Sequence, residues 1–205
     1  MKKFELTNEF VTNMFGTKLF RIRALVEFGD VEAGELGGYV EKESNLGHDD
    51  NAWVYGDARV YDNALVYDNA RVYGDAQVSG DARVCGDAWV YGNALVCGNA
   101  RVYDNARVYG DAWVYGNARV CGDALVCGDA RVCGNGDYAY AHGFGSVNRT
   151  TTFFRLKDGG VGVRCGCFYG TLAQFRDKIR ETHGETKKAQ EYLMLADLMK
   201  LRFEK

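Results

Sequence analysis

The 205-residue chain has no proline and only three histidines. Without proline there is no stiff polyproline linker, so its parts are expected to pack directly on one another. His48, His142 and His183 leave little scope for acid–base or metal chemistry. No Ser-His-Asp or Cys-His arrangement follows from their spacing, and no metal site is expected. No apolar run approaches the ~20 residues that span a bilayer. The start, Met1-Lys2-Lys3-Phe4-Glu5, lacks the apolar core of a signal peptide, which places the chain in the cytoplasm. A charge surplus is also missing. The formal net charge is −3, made of −4 over residues 1–51, −3 over 52–136, one further charge at Asp137, and +5 over 138–205. The basic end can attract an anionic partner. It has no clustered basic stripe, so nucleic acid is not an expected partner. At 47% apolar and 26% charged residues, disorder is excluded.

What the chain does have is a period of six. Alanine recurs every six residues from Ala52 to Ala130, and valine from Val54 to Val132, giving fourteen hexads of the form Ala-x-Val-x-Gly/Asp-Asp/Asn. Alanine and valine stand two apart, so both point to one face of a strand. The Gly, Asp or Asn that follows tolerates the left-handed backbone of a corner. Each hexad is one short strand and one corner, and three hexads close an 18-residue coil. The expected fold is mainly β: a left-handed parallel β-helix over 52–136, a triangular prism roughly 20 Å tall at ~4.8 Å per rung. Its axis is filled by alanine and valine and has no room for a ligand.

Residues 18 apart stack, which fixes the outer faces. The first carries Trp53, Arg71, Trp89, Arg107 and Leu125, beside Tyr55, Tyr73, Tyr91, Tyr109 and Cys127. The alternation of Trp and Arg predicts cation–π stacking. Trp53, Tyr55, Tyr73, Trp89, Tyr91 and Tyr109 would form a flat aromatic surface, the candidate face for a homo-oligomer, dimer or trimer. The second face carries Arg59, Gln77, Leu95, Trp113 and Arg131. The third carries Leu65, Arg83, Arg101 and Arg119, beside Tyr67, Cys85, Tyr103 and Cys121. Cys85 and Cys121 stand two rungs apart, as do Cys97 and Cys133. That is ~9.6 Å, beyond the ~7 Å limit for a disulfide. Cys165 and Cys167, on a predicted strand over 161–168, share a face with Val161 and Val163 and read as small core residues.

Both ends differ from the repeat. Residues 1–51 read as a β hairpin, Phe10 to Phe15 and Lys18 to Phe28, followed by an irregular capping coil. Such a cap covers the open strand edges of a solenoid. Residues 137–205 read as a small α+β unit: a hairpin of Thr150–Lys157 with Val161–Phe168, then two helices. The first is capped by Thr171 with a Gln174 capping box and stopped by Gly184. The second runs from about Thr186 to Phe203, with an apolar stripe widened by Leu195, Leu198 and Leu201, which implies burial on two sides. The connection at 143–152 combines glycines with hydroxyls, an amide and an arginine. Ser146, Asn148, Arg149, Thr150 and Thr151, with His142 and His183, are therefore the candidate ligands for a small anion.

The hexads, as in Val54-Tyr-Gly-Asp-Ala58, resemble the hexapeptide-repeat superfamily, best known for trimeric acyltransferases, over about 84 residues. Those enzymes use a histidine base near a loop that leaves a coil. This chain has no histidine in 52–135 and no break in its hexads. The segments 28–40, 145–152, 165–168 and 182–184 resemble small hexapeptide-repeat proteins of bacteria and prophages, some described as transferases or polymer-forming, which implies a phage or prophage setting. Three functions follow. The leading one is a non-catalytic scaffold or binding protein, without a cofactor, that self-associates and presents its C-terminal unit to a partner or ligand. The second is an acyltransferase with His142 or His183 as base and acyl-CoA bound between chains. The third is a sequestering protein for a small anionic signal such as a nucleotide, held near 143–152.

Overall fold

The computed structural model describes residues 2–204. Fourteen two-residue strands, β4 to β17, recur every six residues from Trp53–Val54 to Arg131–Val132. Each of the first eleven pairs in parallel with the strand 18 residues on, and the strands sort onto three sides of a β-solenoid. The register is the one the period demands. Trp53 lies against Arg71, Arg71 against Trp89, Trp89 against Arg107 and Arg107 against Leu125. Every alanine and valine of the hexads is buried, and together they form one continuous core along the axis. Backbone amides bond from rung to rung, as Tyr91 to the Val108 carbonyl at 3.0 Å.

The corners show how an unfavourable backbone is held. Most carry glycine at positive φ, but Asp62, Asp68 and Asp104 take φ 58–59°, a region that costs a residue with a Cβ about 1–2 kcal/mol. Each carboxylate compensates by accepting from the amide one coil above: Gly80, Gly86 and Gly122 donate at 3.1 Å. Asp104→Ala should therefore lower stability by about 1–2 kcal/mol, and Asp104→Gly, which loses the bond but relieves the backbone, by clearly less. Thermal melts of the two variants decide it. Equal losses would mean the left-handed backbone costs nothing at this corner, and no loss in the alanine variant would mean the carboxylate carries nothing.

The N-terminal cap is part of the prism. Strand β1 (Phe4–Thr12) pairs antiparallel with β2 (Lys18–Ala24), and β2 with β3 (Leu36–Val40). Strand β3 then pairs in parallel with Arg59–Val60, and Leu46 bridges Val66, so residues 36–51 are a first coil without the hexad sequence. Gly37 and Gly38 make this possible, since a Cβ at either would lie 2.6 Å from the backbone oxygen of Val54 or Ala58.

Beyond the last hexad, four antiparallel strands form a second sheet: β18 (Tyr138–Phe144), β19 (Arg149–Arg155), β20 (Val161–Cys165) and β21 (Phe168–Thr171). Two buried neighbours on β19 face opposite ways. Phe154 joins the solenoid core, and Phe153 joins a core under helices α1 (Leu172–His183) and α2 (Lys187–Phe203). The Thr152 hydroxyl accepts from the Leu125 amide at 2.9 Å, tying the sheet to the top of the prism.

The ends of α1 are as the sequence predicts, with Thr171 and Gln174 starting it and Gly184 ending it, and α2 starts at the expected place, capped by Thr186. Three expectations are corrected. The expected two-stranded hairpin is a four-stranded sheet, with residues 138–144 as an additional strand. The chain turns at Gly166, whose φ is +58°, so Val161–Phe168 is not one strand and Cys167 is exposed rather than core. The widened stripe of α2 is half open: Leu195 is partly covered, but Leu198 and Leu201 are exposed, 54% and 69%. All seven cysteines are free.

Candidate functional site

Two surfaces carry the residues singled out from the sequence. The first is a pocket of about 200 Å³ in the C-terminal unit, between the β18–β19 connection, the β20–β21 turn and the two helices. Its anchor is Tyr192 of α2, whose ring is almost wholly buried. The Tyr192 hydroxyl accepts from the Ser146 amide at 3.2 Å and stands 3.5 Å from the Ser146 hydroxyl. Burial raises the Tyr192 phenol above its ordinary range. The neighbouring Gly145 amide donates to Glu191 at 2.9 Å. The loop is thus clamped to α2 by two successive amides. Gly145 cannot be replaced without moving it, because φ is +70° and a Cβ would sit 1.9 Å from the Tyr192 ring. The next residues, Val147 and Asn148, hold left-handed backbones of φ 53° and 50°, a strained state for a β-branched side chain.

The pocket floor is apolar, with Phe168, Phe175 and Ile179. Its rim is basic: Arg149, Lys178 and His183 line it, and no aspartate or glutamate does. Glu181 pairs with Lys178 at 2.9 Å from outside the wall. Arg149 is exposed, lies over Gly166, and has no ion pair among the described residues. Cys165 and Cys167 both reach the pocket, and the Thr151 hydroxyl donates to the Cys165 sulfur at 3.2 Å.

Of the seven candidate ligand residues, the structure brings Ser146, Arg149 and His183 together. Thr151 is buried beneath the wall, which removes it from ligand contact. His142 and Thr150 bond each other at 2.9 Å across β18 and β19, outside the pocket wall, and Asn148 is exposed beyond it. The two histidines offered as alternative bases for acyl transfer lie in different surroundings: His142 is bonded to Thr150, and His183 stacks on Tyr192 with ring centres 5.9 Å apart. Sequence reasoning missed Lys178, Thr182 and Tyr192. The helical spacing of Phe175, Ile179 and Thr182 put them on one face, but nothing local aimed that face at the 145–149 loop. Among the described residues, no group of three or more His, Cys, Asp and Glu is placed to hold a metal ion, and no helix is long and apolar enough to cross a membrane.

The second surface is the first side of the solenoid. Tyr73, Tyr91 and Tyr109 stack with centres 4.8 Å apart and planes 3° from parallel. Trp89 has Arg71 on one side at 5.6 Å and Arg107 on the other at 4.6 Å, the cation–π column read from the hexads. The flat face is shorter than expected, however. Trp53 is fully buried under Phe4 and Phe28 of the N-terminal cap, so it is not a surface residue. Tyr55 is half-covered, its hydroxyl bonded to Asp30 at 3.1 Å.

A family model described as YdcK beta solenoid repeat matches residues 52–68, 58–74, 64–80, 76–92, 100–116 and 112–128. A comparison with curated proteins finds no match.

Proposed function

We propose that this β-solenoid repeat protein is a non-catalytic binding protein whose prism carries a C-terminal pocket for a small anion. The observation that carries the reading is Arg149, an exposed guanidinium without an ion pair among the described residues, at the rim of a pocket whose wall has basic but no acidic side chains. Charge-assisted hydrogen bonds of this kind are worth about 1.5–3 kcal/mol. The apolar floor favours an anion with an apolar or flat body next to its charge. The hydroxyl of Ser146 stands beside Tyr192 and the ring of His183 stacks on the same tyrosine, an arrangement suited to holding a ligand rather than activating a nucleophile. Self-association belongs to the same proposal. The exposed Met194, Leu198 and Leu201 of α2 offer an apolar stripe for it.

Calorimetry with inorganic phosphate and small carboxylates tests the pocket. Wild-type protein should bind at least one of them, and Arg149→Gln should weaken it by about 10- to 100-fold. Native mass spectrometry of the purified protein reads the oligomer and any retained ligand together. A monomer that binds neither class of anion would remove the proposal.

A further inference from the structure

The pocket does not end at Arg149. The same residue walls a second hollow of about 280 Å³ with Arg107, Thr150 and Gly166. That hollow shares Asn105, Arg107 and Asp123 with a third, of about 630 Å³, which runs down the first side of the solenoid past Trp89 and Arg71 to Gly29. The three hollows adjoin at these shared residues and line a trench from the helices of the C-terminal unit to the N-terminal cap, with Arg107 and Arg149 together in the wall of the middle one. The pocket alone is smaller than the about 300–1,000 Å³ of ordinary small-molecule sites, and the trench is not.

Its chemistry is ordered along its length. Arg149 and Arg107 are exposed and neither has an ion pair among the described residues, whereas Arg71 is neutralised by Asp30 at 2.8 Å. Trp89 braces Arg107 at 4.6 Å, which limits the entropy a ligand must remove from that side chain. Beside the Arg and Trp column, two residues earlier in the chain at each rung, runs a column of stacked amides and carboxylates. Asn51 donates to Asn69, Asn69 to Asp87, and Asn105 to Asp123, each at 3.1 Å. The column breaks between Asp87 and Asn105, because Asn105 spends its donor upward and no bond to Asp87 from that side is made. The trench thus offers two free cations in sequence and a wall of hydrogen-bond acceptors.

Resting on the pocket reading above, we infer that the ligand is an elongated molecule with two anionic groups joined by a hydroxylated body. One anion sits at Arg149 and the second at Arg107, and hydroxyl or amino donors face the Asn/Asp wall. Nucleotides and phosphorylated sugars share this chemistry.

Calorimetry on the full chain with three probes separates the sources and the claims: inorganic phosphate, fructose 1,6-bisphosphate and a linear 5′-phosphorylated diadenylate. One of the two bis-anions should bind at least tenfold tighter than phosphate, and which one does so names the class. Arg107→Gln should erase that gain, bringing the bis-anion down to the affinity of phosphate, and Arg149→Gln should weaken all binding. Circular dichroism confirms that both surface variants fold. If the bis-anions bind no tighter than phosphate, or Arg107→Gln changes nothing, the trench is not a site and the pocket reading stands alone. If no probe binds, the inference falls, and if small carboxylates also fail to bind, or Arg149→Gln is without effect, the pocket reading falls with it.

Discussion

Replacing Trp53 with alanine is expected to lower stability by about 3–5 kcal/mol, while the same change at Trp113 costs a small fraction of that. The two residues occupy the same position of the hexad. Trp53 has no exposed surface, whereas Trp113 is 44% exposed beneath the Arg131 guanidinium. Phe28 meets the Trp53 indole edge-on at 5.3 Å and Phe4 at 6.2 Å. Truncation removes the transfer energy of a whole indole and leaves a cavity that β3 cannot fill, because Gly37 brings only backbone to it. The Trp53 indole N–H has no hydrogen-bond partner among the described residues. Trp53→Phe therefore gives up area but no bond, and should cost well under half as much. The damage should also be local. Amide exchange over β1 and β2 should rise before exchange in the hexads does, since the cap is what Trp53 fastens. Denaturant melts of the three variants with exchange data decide it. Equal costs at positions 53 and 113 would mean the cap adds nothing to the prism.

That contrast marks where the sequence was legible and where it was not. A six-residue period with alanine and valine two apart has one solution, and the stacking of residues 18 apart followed from it down to individual pairs such as Trp89 with Arg107. The helix caps were equally plain, because capping is a contact three residues long. Whether a hexad residue faces water depends on segments far away in the chain, and the pattern is silent on that. Lys3 is the sharpest case. A lysine at the start of a chain reads as surface, yet its ammonium is buried and donates to the Ala52, Asp50 and Asp49 carbonyls at 2.9, 3.3 and 3.4 Å. Strand β18 escaped notice because its small and aromatic residues lie between glycines at 136 and 143, which read as a loop. The pocket was visible through two of its four segments, the 145–149 loop and the His183 end of α1. The loop glycines and Arg149 have a local signature, whereas the turn at Gly166 and the inner face of α1 acquire meaning only when α2 lays Tyr192 between them.

Alkali should unfold the protein cooperatively between about pH 10 and 12, after a narrow rise in stability from pH 8. The rise belongs to Lys3. Burial holds its ammonium down to about 8 from 10.5, against the opposing pull of Asp50 and Asp49. Between those values the unfolded chain binds a proton that the native one does not, so stability grows with pH. The fall belongs to the phenols and thiols. Burial, with the hydrogen bond to Asp30, pushes Tyr55 up to about 12. The bond to Cys85, with burial, does the same for Tyr67. Burial raises Tyr73, Tyr91 and Tyr109, and likewise the Cys85, Cys97 and Cys127 thiols. Each of these keeps its proton in the native state after the unfolded chain has lost it. Their stabilisation is complete below the unfolded values and is withdrawn as pH climbs through the folded ones. A single such group removes up to about 1.4 kcal/mol per pH unit, and less where water screens a half-exposed ring. Several acting together exhaust a stability of about 5–15 kcal/mol within two units. The stacked column makes the loss cooperative, since an anion on Tyr91 would lie between rings 4.8 Å away on either side. Tyrosinate absorbance and circular dichroism should therefore change in one shared step, and Lys3→Met should abolish the rise above pH 8. Phenols that titrate singly near pH 10 while the β signal persists would show that the tyrosine ladder is too wet to hold its protons.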